Sequence, residues 1–484
     1  MRTLLTGGVV LTGPAWVPSV ADVLVEDGCV VEVGRLEGAE RLDAARVSLE
    51  GRLVMPGLVN AHTHSHTLPA RGASRTWTLE DSLLNGGWMS GARSEELAEL
   101  CALLAATEMI ASGATGAFDL MAQAGGPDLA GLAAAVRGYA RAGLRVVLAP
   151  MVADRSVHEA VPAIGGCCGV PTGGVRAETV VARCREFAAQ SFPPLVAPAV
   201  APTILAHCTP ELVAGLLALA DEHDLRVHTH LAESKPQALS GAARFGRSIT
   251  SELARQGVLG PRLTAAHAIW LSAEDRGLLG ATGSVAVAVP GSNLRLGSGT
   301  ADTRALLEAG VTLAVGTDGA NSADALDVLD AARLTALMSR TSTRPASSWL
   351  TVEEVLTAAT AGGAAACGWD DVGRIAPGYA ADLAVLDLGA RAFLPPNDLA
   401  NQVLTAARAA DVTDVMVAGR WVYRDRGFPG LDVAAAEERF RELCAAWHDQ
   451  AAPARAAAAR DVDRAAPALA ALRAEPWPDE RLLP

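Results

Sequence analysis

Two histidines, His62 and His64, lie at the end of the stretch Gly57-Leu58-Val59-Asn60-Ala61-His62-Thr63-His64-Ser65-His66. In an extended strand, side chains two apart share a face, so both imidazoles aim at one point. Such a pair suits a borderline-soft divalent ion such as zinc. A lone His-x-His is also the pattern of two core or solvated histidines, so further candidates must decide. They follow at the ends of separate apolar runs: His230 and Glu233 after Leu225-Arg226-Val227-His228-Thr229, His267 after Ala265-Ala266, and Asp318 after Val315-Gly316-Thr317.

Bringing those groups together requires a scaffold that gathers strand ends. Apolar β-like runs at 54–60, 116–120, 144–151, 195–204, 225–231, 263–267, 284–289 and 311–317 alternate with Ala/Leu-rich helical stretches such as 94–111, 210–223 and 323–338. That rhythm predicts an α/β fold with a parallel sheet, and eight such strands is the count of a (β/α)8 TIM barrel. Barrel active sites lie at the C-terminal ends of the strands, where all the candidate residues fall. Residues 1 to about 52 alternate short β-like runs with glycine turns, and a matching β-rich piece returns at 382–387 and 415–423. The two read as one small β-sandwich domain built from both chain ends. The expected division is 1–53 and 373–430 for the sandwich, 54–372 for the barrel and 431–484 for a C-terminal tail. An amphipathic helix over 433–444 opens the tail. Its Ala/Arg-rich remainder, with Pro453, Pro467, Pro476, Pro478 and Pro484, reads as a further helix, an oligomer contact or a partly mobile piece.

Composition narrows the function classes. Half of the 484 residues are apolar, enough for a large core, yet no run is long and uncharged enough for a membrane span. The N-terminus enters a strand-like pattern directly, without a signal-peptide core, so a cytoplasmic address is expected. A net charge of −14 with no Lys/Arg cluster argues against a nucleic-acid partner. The eight cysteines are scattered and read as reduced thiols, Cys167-Cys168 being adjacent and poorly placed to chelate. Lys235 is the sole lysine, so no P-loop can be built and a Schiff base would have to form there.

The chain resembles the amidohydrolase superfamily, and within it the triazine-hydrolase and guanine/S-adenosylhomocysteine-type deaminase branch. The resemblance rests on Pro56-Gly57-Leu58-Val59-Asn60-Ala61-His62-Thr63-His64, His230-Leu231-Ala232-Glu233, the His267 strand, Ser292-Asn293-Leu294-Arg295-Leu296-Gly297-Ser298-Gly299, Gly316-Thr317-Asp318-Gly319 and Gly378-Tyr379-Ala380-Ala381-Asp382-Leu383, and spans about residues 1–430. It implies that His62, His64, His230 and Asp318 ligate one divalent metal ion, zinc ahead of ferrous iron, while Glu233, His267 and Asp318 act on water and substrate. Three imidazoles and a carboxylate leave the open position a catalytic zinc needs. Binuclear relatives bridge two metals with a lysine at the end of the fourth strand, where this chain has Val200-Ala201-Pro202-Thr203-Ile204, so a mononuclear site is expected.

The implied reaction is attack of metal-bound hydroxide on a ring carbon, releasing an amino group as ammonia from an aminated N-heterocycle of purine, pteridine, pyrimidine or triazine type. Glu233 would protonate the adjacent ring nitrogen, Asp318 would shuttle the proton of the attacking water, and His267 would orient the oxygen. Retention of both Glu233 and Asp318 favours an amine over chloride as leaving group. His207 is the expected substrate contact after the fourth strand. Arg71, Trp77, Asn85 and Trp88, in the long loop after the first, suit a flat heterocycle or, equally, lid packing. His228 is expected inside the barrel, and His66 in a loop or on the substrate. The resemblance also implies a homo-oligomer. The competing readings are a hydrolase releasing alkylamine or chloride from a triazine-like ring, and a non-catalytic scaffold of the same fold.

Overall fold

The computed structural model describes residues 2–36, 43–166, 175–341 and 344–477. Cys167, Cys168, most of the Gly-rich 165–174 loop, Pro478 and Pro484 lie outside them. Among the described residues the strands form two sheets. The first contains β1 (Arg2–Thr12), β2 (Val17–Glu26), β3 (Cys29–Gly34), β4 (Ala45–Ser48) and β5 (Arg52–Pro56) from the front of the chain. It is completed by β15 (Leu383–Asp387), β16 (Val412–Val417) and β17 (Arg420–Tyr423) from the back. The order is β17-β16-β15-β5-β1-β2-β3, with β4 beside β1, and Leu5, Val10, Val23, Val54, Val385 and Met416 share a core of their own. Hydrogen bonding runs through all of it as one mixed sheet, mostly antiparallel.

The second sheet is the barrel. Its strands are β6 (Leu58–His64), β7 (Ala114–Ala122), β8 (Arg145–Val152), β9 (Val196–Pro202), β10 (Arg226–Leu231), β11 (Leu263–His267), β12 (Val285–Ala288), β13 (Thr312–Val315) and β14 (Asp318–Gly319), all parallel. The last two are halves of one eighth strand. β13 pairs with β12, β14 pairs with β6, and between them Gly316 N bonds Ala288 O while Thr317 N bonds His62 O. That switch of partners closes the barrel. Only glycine fits at 316, since a Cβ there would lie 2.8 Å from the backbone N of His62.

Local chemistry sets the boundaries. The run 54–60 is not one barrel strand: 52–56 pairs with β15 in the small sheet, and the barrel begins at Leu58. The break is Gly57, where a Cβ would lie 2.1 Å from Thr115 and whose N bonds Asp382 O. The small sheet thus reaches three residues beyond the expected boundary at 53. The helix expected over 323–338 begins at Val328, because the Asp327 side chain caps it by accepting from Asp330 N.

Three helices matter for the site. α1 (Leu79–Met89) is capped by a reciprocal Thr78/Asp81 box and lies over the barrel mouth. α2 (Glu95–Ala111) packs behind it from the Ser94 cap. α3 (Val433–Ala474) runs 42 residues, far beyond the 433–444 expected, and crosses back over α1. It buries Trp447 against Trp88 and places Ala465 and Leu469 on Val161 and Ile164. No helix of the described residues is long and apolar enough to cross a membrane.

Candidate active site

The barrel brings His62, His64, His230, Glu233, His267 and Asp318 together at the C-terminal ends of β6, β10, β11 and the eighth strand. In three overlapping sets (His62/His230/His267, His62/His64/Asp318 and Glu233/His267/Asp318) the ligand atoms lie within 4.8 Å of one another. All six side chains are buried, none above 8 % exposure, so partners within the protein rather than bulk water must satisfy them.

Backbone geometry aims them. His267 (φ 71°) and Asp318 (φ 69°) both adopt the left-handed conformation that non-glycine residues avoid. Such a conformation costs about 1–3 kcal/mol and persists where the surroundings impose it, typically at functional sites. It turns each side chain off its strand end toward the barrel axis.

Second contacts fix which ring nitrogen is free. His64 Nδ1 is 2.7 Å from Leu120 O and His230 Nδ1 is 2.7 Å from Thr203 O. A carbonyl only accepts, so each neutral ring carries its proton on Nδ1 and turns the Nε2 lone pair inward. Those two Nε2 atoms stand 3.2 Å apart, and Asp318 Oδ1 is 3.2 Å from His64 Nε2 and 3.6 Å from His62 Nε2. His267 donates Nδ1–H to Asn293 Oδ1 at 2.8 Å, leaving its Nε2, like that of His62, buried without a hydrogen-bond partner. Inward-facing lone pairs beside a carboxylate repel one another, and a divalent cation between them turns that repulsion into coordination. The donor set therefore fits a metal ion, with the second partners that orient histidine ligands already in place.

Burial pushes the His62 imidazolium down to about 3 and His230 well below its ordinary value. His64 moves the other way: burial would lower it, but Asp318 beside it outweighs burial and raises it, so a metal would displace a proton there. Burial alone would raise Asp318, but the His62 and His64 rings close beside it outweigh burial and hold the carboxyl well below the usual range. Neutral imidazoles and an ionised carboxylate are the forms that bind metals. Glu233 goes the other way: burial, reinforced by the charges of Asp318 and Glu80, pushes it well above the ordinary carboxyl value. Two carboxyls in one site are thus held in opposite protonation states, the pattern of an acid and a base. Glu233 Oε2 lies 3.4 Å from His267 Nε2.

A cavity of about 650 Å³ of empty space opens beside the cluster. His64, His230, Glu233 and Asp318 form its floor, with walls from Leu79, Leu83, Met89, Met151, Ile204 and Leu296 and a rim of Ser82, Ser90, Asn321 and Ser322. His66 also lines it, buried, with its Nδ1 unpartnered. Neither lysine nor arginine is among the described lining residues.

The expected substrate contacts lie elsewhere. Arg71 pairs with Glu108 at 2.5 Å, Trp88 Nε1 donates to Asn85 Oδ1 at 2.7 Å, and Trp77 stacks edge-on against Trp88. His207 is buried in the turn Leu205–His207, and burial pushes it down to about 4. None of these five lines the cavity; Arg71 is engaged by α2, and Trp77, Asn85 and Trp88 by the packing of α1 under α3. His228 is fully buried in the barrel, its Nε2 3.1 Å from His62 Nδ1 and its ring edge-on to Phe118. Residue-by-residue reading missed two supports. Asn60 bridges to Thr317 through both amide atoms, and Asp119 accepts from Ser65 and from Tyr139. Asn60 and Asn293 stood inside the quoted motifs, but nothing local marked Asp119.

The amidohydrolase family model matches residues 53–422. A 5-methylthioadenosine/S-adenosylhomocysteine deaminase of Nitratidesulfovibrio vulgaris is 32 % identical over 426 residues, covering 87 % of this chain and 91 % of that protein. Among solved structures, an adenosine deaminase from Xanthomonas campestris with bound zinc superposes with TM-score 0.82 at 28 % identity, over 93 % of this chain and 98 % of that one. The zinc-complexed atrazine chlorohydrolase of Arthrobacter aurescens, at 24 % identity and TM-score 0.82 over 91 % of this chain and all of that one, shares the fold.

Proposed function

The chain belongs to the amidohydrolase family, and from that premise we propose that it is a metal-dependent aminohydrolase releasing ammonia from an aminated N-heterocycle. The observation that carries the reading is the meeting of Glu233, His267 and Asp318 within 4.8 Å beside the His62/His64/Asp318 set, two carboxyls whose surroundings push them in opposite directions. His62, His64, His230 and Asp318 would hold one divalent ion, zinc ahead of iron. Such an ion supplies Lewis acidity and lowers the pKa of water toward about 7.

The protein's own residues do the rest. Asp318 accepts the proton that the attacking water gives up and returns it to the departing amine. Glu233 donates its proton to the ring nitrogen next to the attacked carbon, so that the ring accepts electrons as that carbon becomes tetrahedral, and Glu233 regains a proton from the added hydroxyl as the amine departs. His267, oriented by Asn293, keeps its Nε2 free to accept a hydrogen bond from the water. Asp318 can serve the leaving group because ammonia, unlike chloride, needs a proton.

The aliphatic walls and the lack of a described lining cation support a flat, neutral ring, and the deaminases among the relatives favour an aminated purine. The test is an ammonia-release screen over aminated purines, pteridines, pyrimidines and triazines, paired with metal analysis. Turnover of a purine by protein carrying one zinc or iron per chain is the expected result. Release of alkylamine or chloride without ammonia would replace this reading with the triazine-type hydrolase, and metal-free inert protein with the scaffold.

A further inference from the structure

Arg473 and Trp477 lie beyond the matched family region, yet they reach the loops that carry Glu233 and His267. α1 presents two stripes. Leu79, Ser82, Leu83, Gly86 and Met89 face the cavity, while Glu80, Leu84 and Trp88, spaced four apart, face α3. The contact at Glu80 is polar: the carboxyl is almost fully buried, 1 % exposed, while Arg473 reaches it from a half-buried position, 38 % exposed. One oxygen accepts from Arg473 of α3 at 2.8 Å; the other accepts from Ser234 Oγ. Ser234 follows Glu233 and caps the helix Lys235–Phe245, and Gln237 of that helix accepts from Glu233 N. A second tie lies four residues on, where Trp477 packs edge-on against Trp270 with ring centroids 5.7 Å apart. Trp270, just beyond His267, bonds Ala232 O through its own N and Ser298 O through its indole.

Two independent contacts from one segment thus reach the two loops whose side chains meet at 3.4 Å. We infer that residues 465–477 position the Glu233–His267 pair, with Arg473 acting through Glu80 and Ser234 and Trp477 through Trp270. A carboxylate buried at Glu80 needs a cation, and the chain supplies it from 393 positions away. Neither Arg473 nor Trp477 touches the cavity, so both are positioning residues. The inference rests on the proposed chemistry for its kinetic consequence but not for its structural one.

The full-length enzyme tests it in two arms. By kinetics, Arg473→Ala lowers kcat at least about tenfold with KM within about threefold and metal content unchanged, whereas Arg473→Lys recovers most of the rate. By hydrogen exchange with zinc-loaded protein, amides of 232–240 exchange faster in Arg473→Ala while those of β6–β8 keep their protection; this arm needs no substrate. Trp477→Ala produces the same exchange change at 268–271. Unchanged exchange at 232–240 overturns the inference, as does a rate loss that Arg473→Lys shares in full or that follows metal loss. Inert wild-type protein that nonetheless shows the exchange change would sink the proposed function and leave the positioning role standing.

Discussion

Glu233→Gln separates chemistry from architecture in this site. The carboxyl is 2 % exposed, and burial together with the charges of Asp318 and Glu80 holds it well above the ordinary value, which suits the proposed role of neutral acid. Glutamine has the same shape and the same charge as that acid. Its amide still reaches His267, and Gln237 still accepts from its backbone N. Only the transferable proton is lost. Positioned general acids contribute about 10²–10⁴-fold, or about 3–5 kcal/mol of barrier. The variant should therefore lose two to four decades of kcat for ammonia release, with KM within about threefold. Its metal content should match wild type, because the four proposed ligands are untouched, and its melting temperature should move by no more than about 2 °C. The assay is steady-state ammonia release with metal analysis and thermal unfolding on the same preparation. A kcat within about tenfold of wild type would refute the proton-donor role. A large loss that tracks metal depletion would instead place Glu233 among the ligands.

Asp318→Asn removes the proposed base and one proposed ligand at once, so it should largely abolish turnover while the barrel stays folded; near-normal rates would contradict the shuttle role. Chelation should abolish activity, and zinc at about 100 times its Kd should restore it and stabilise the fold by about 2.7 kcal/mol, read as a rise in melting temperature. No thermal response to zinc or iron would count against the metal site. Asp382→Ala should cost about 3–5 kcal/mol, because it strips the partner from the half-buried Arg145 guanidinium (3.1 and 3.3 Å) and from Ala418 N (2.7 Å) at the joint between the sheets. Denaturant melts measure that loss, and the rate per folded molecule should not change.

The barrel was largely legible because its strands are buried on both faces and read as unbroken apolar runs. Seven of the eight expected runs end within two residues of the observed strands; the exceptional one, 54–60, contained a boundary that no apolar pattern shows. Gly57 divides it, and the reason, close approach to Thr115 and Asp382, is a tertiary one. The polar residues of the site were legible as a set because each closes a strand. Their aim was not, since the left-handed turns at His267 and Asp318 are imposed by neighbours. The length of α3 was hidden by Pro453 and Pro467, ordinarily helix breakers. Both lie on its exposed side, where water can satisfy the carbonyls their missing N–H groups leave bare.

The cavity wall shows why motifs point to a chemistry and not to a specificity. The stretch after the first barrel strand offered Trp77 and Trp88 as conspicuous candidates, yet α1 turns Leu79, Leu83 and Met89 toward the cavity and Trp88 toward Trp447. Helical spacing makes both stripes available, and neither is more apolar. What decides between them is the element that covers the far face, and that element is α3, about 350 residues later in the chain. With α3 in place, Trp88 sits between Trp447 and the Arg455 guanidinium, 5.3 Å from its ring, and Glu80 meets Arg473. Were α1 rotated to bring Trp88 inward, Glu80 would lose its cation and remain a buried, unpaired charge. Which stripe of α1 faces the cavity is therefore set by its packing on α3, and substitutions at Trp447 and Arg455 should alter substrate preference, read as relative kcat/KM across the heterocycle panel, without touching the proposed metal ligands.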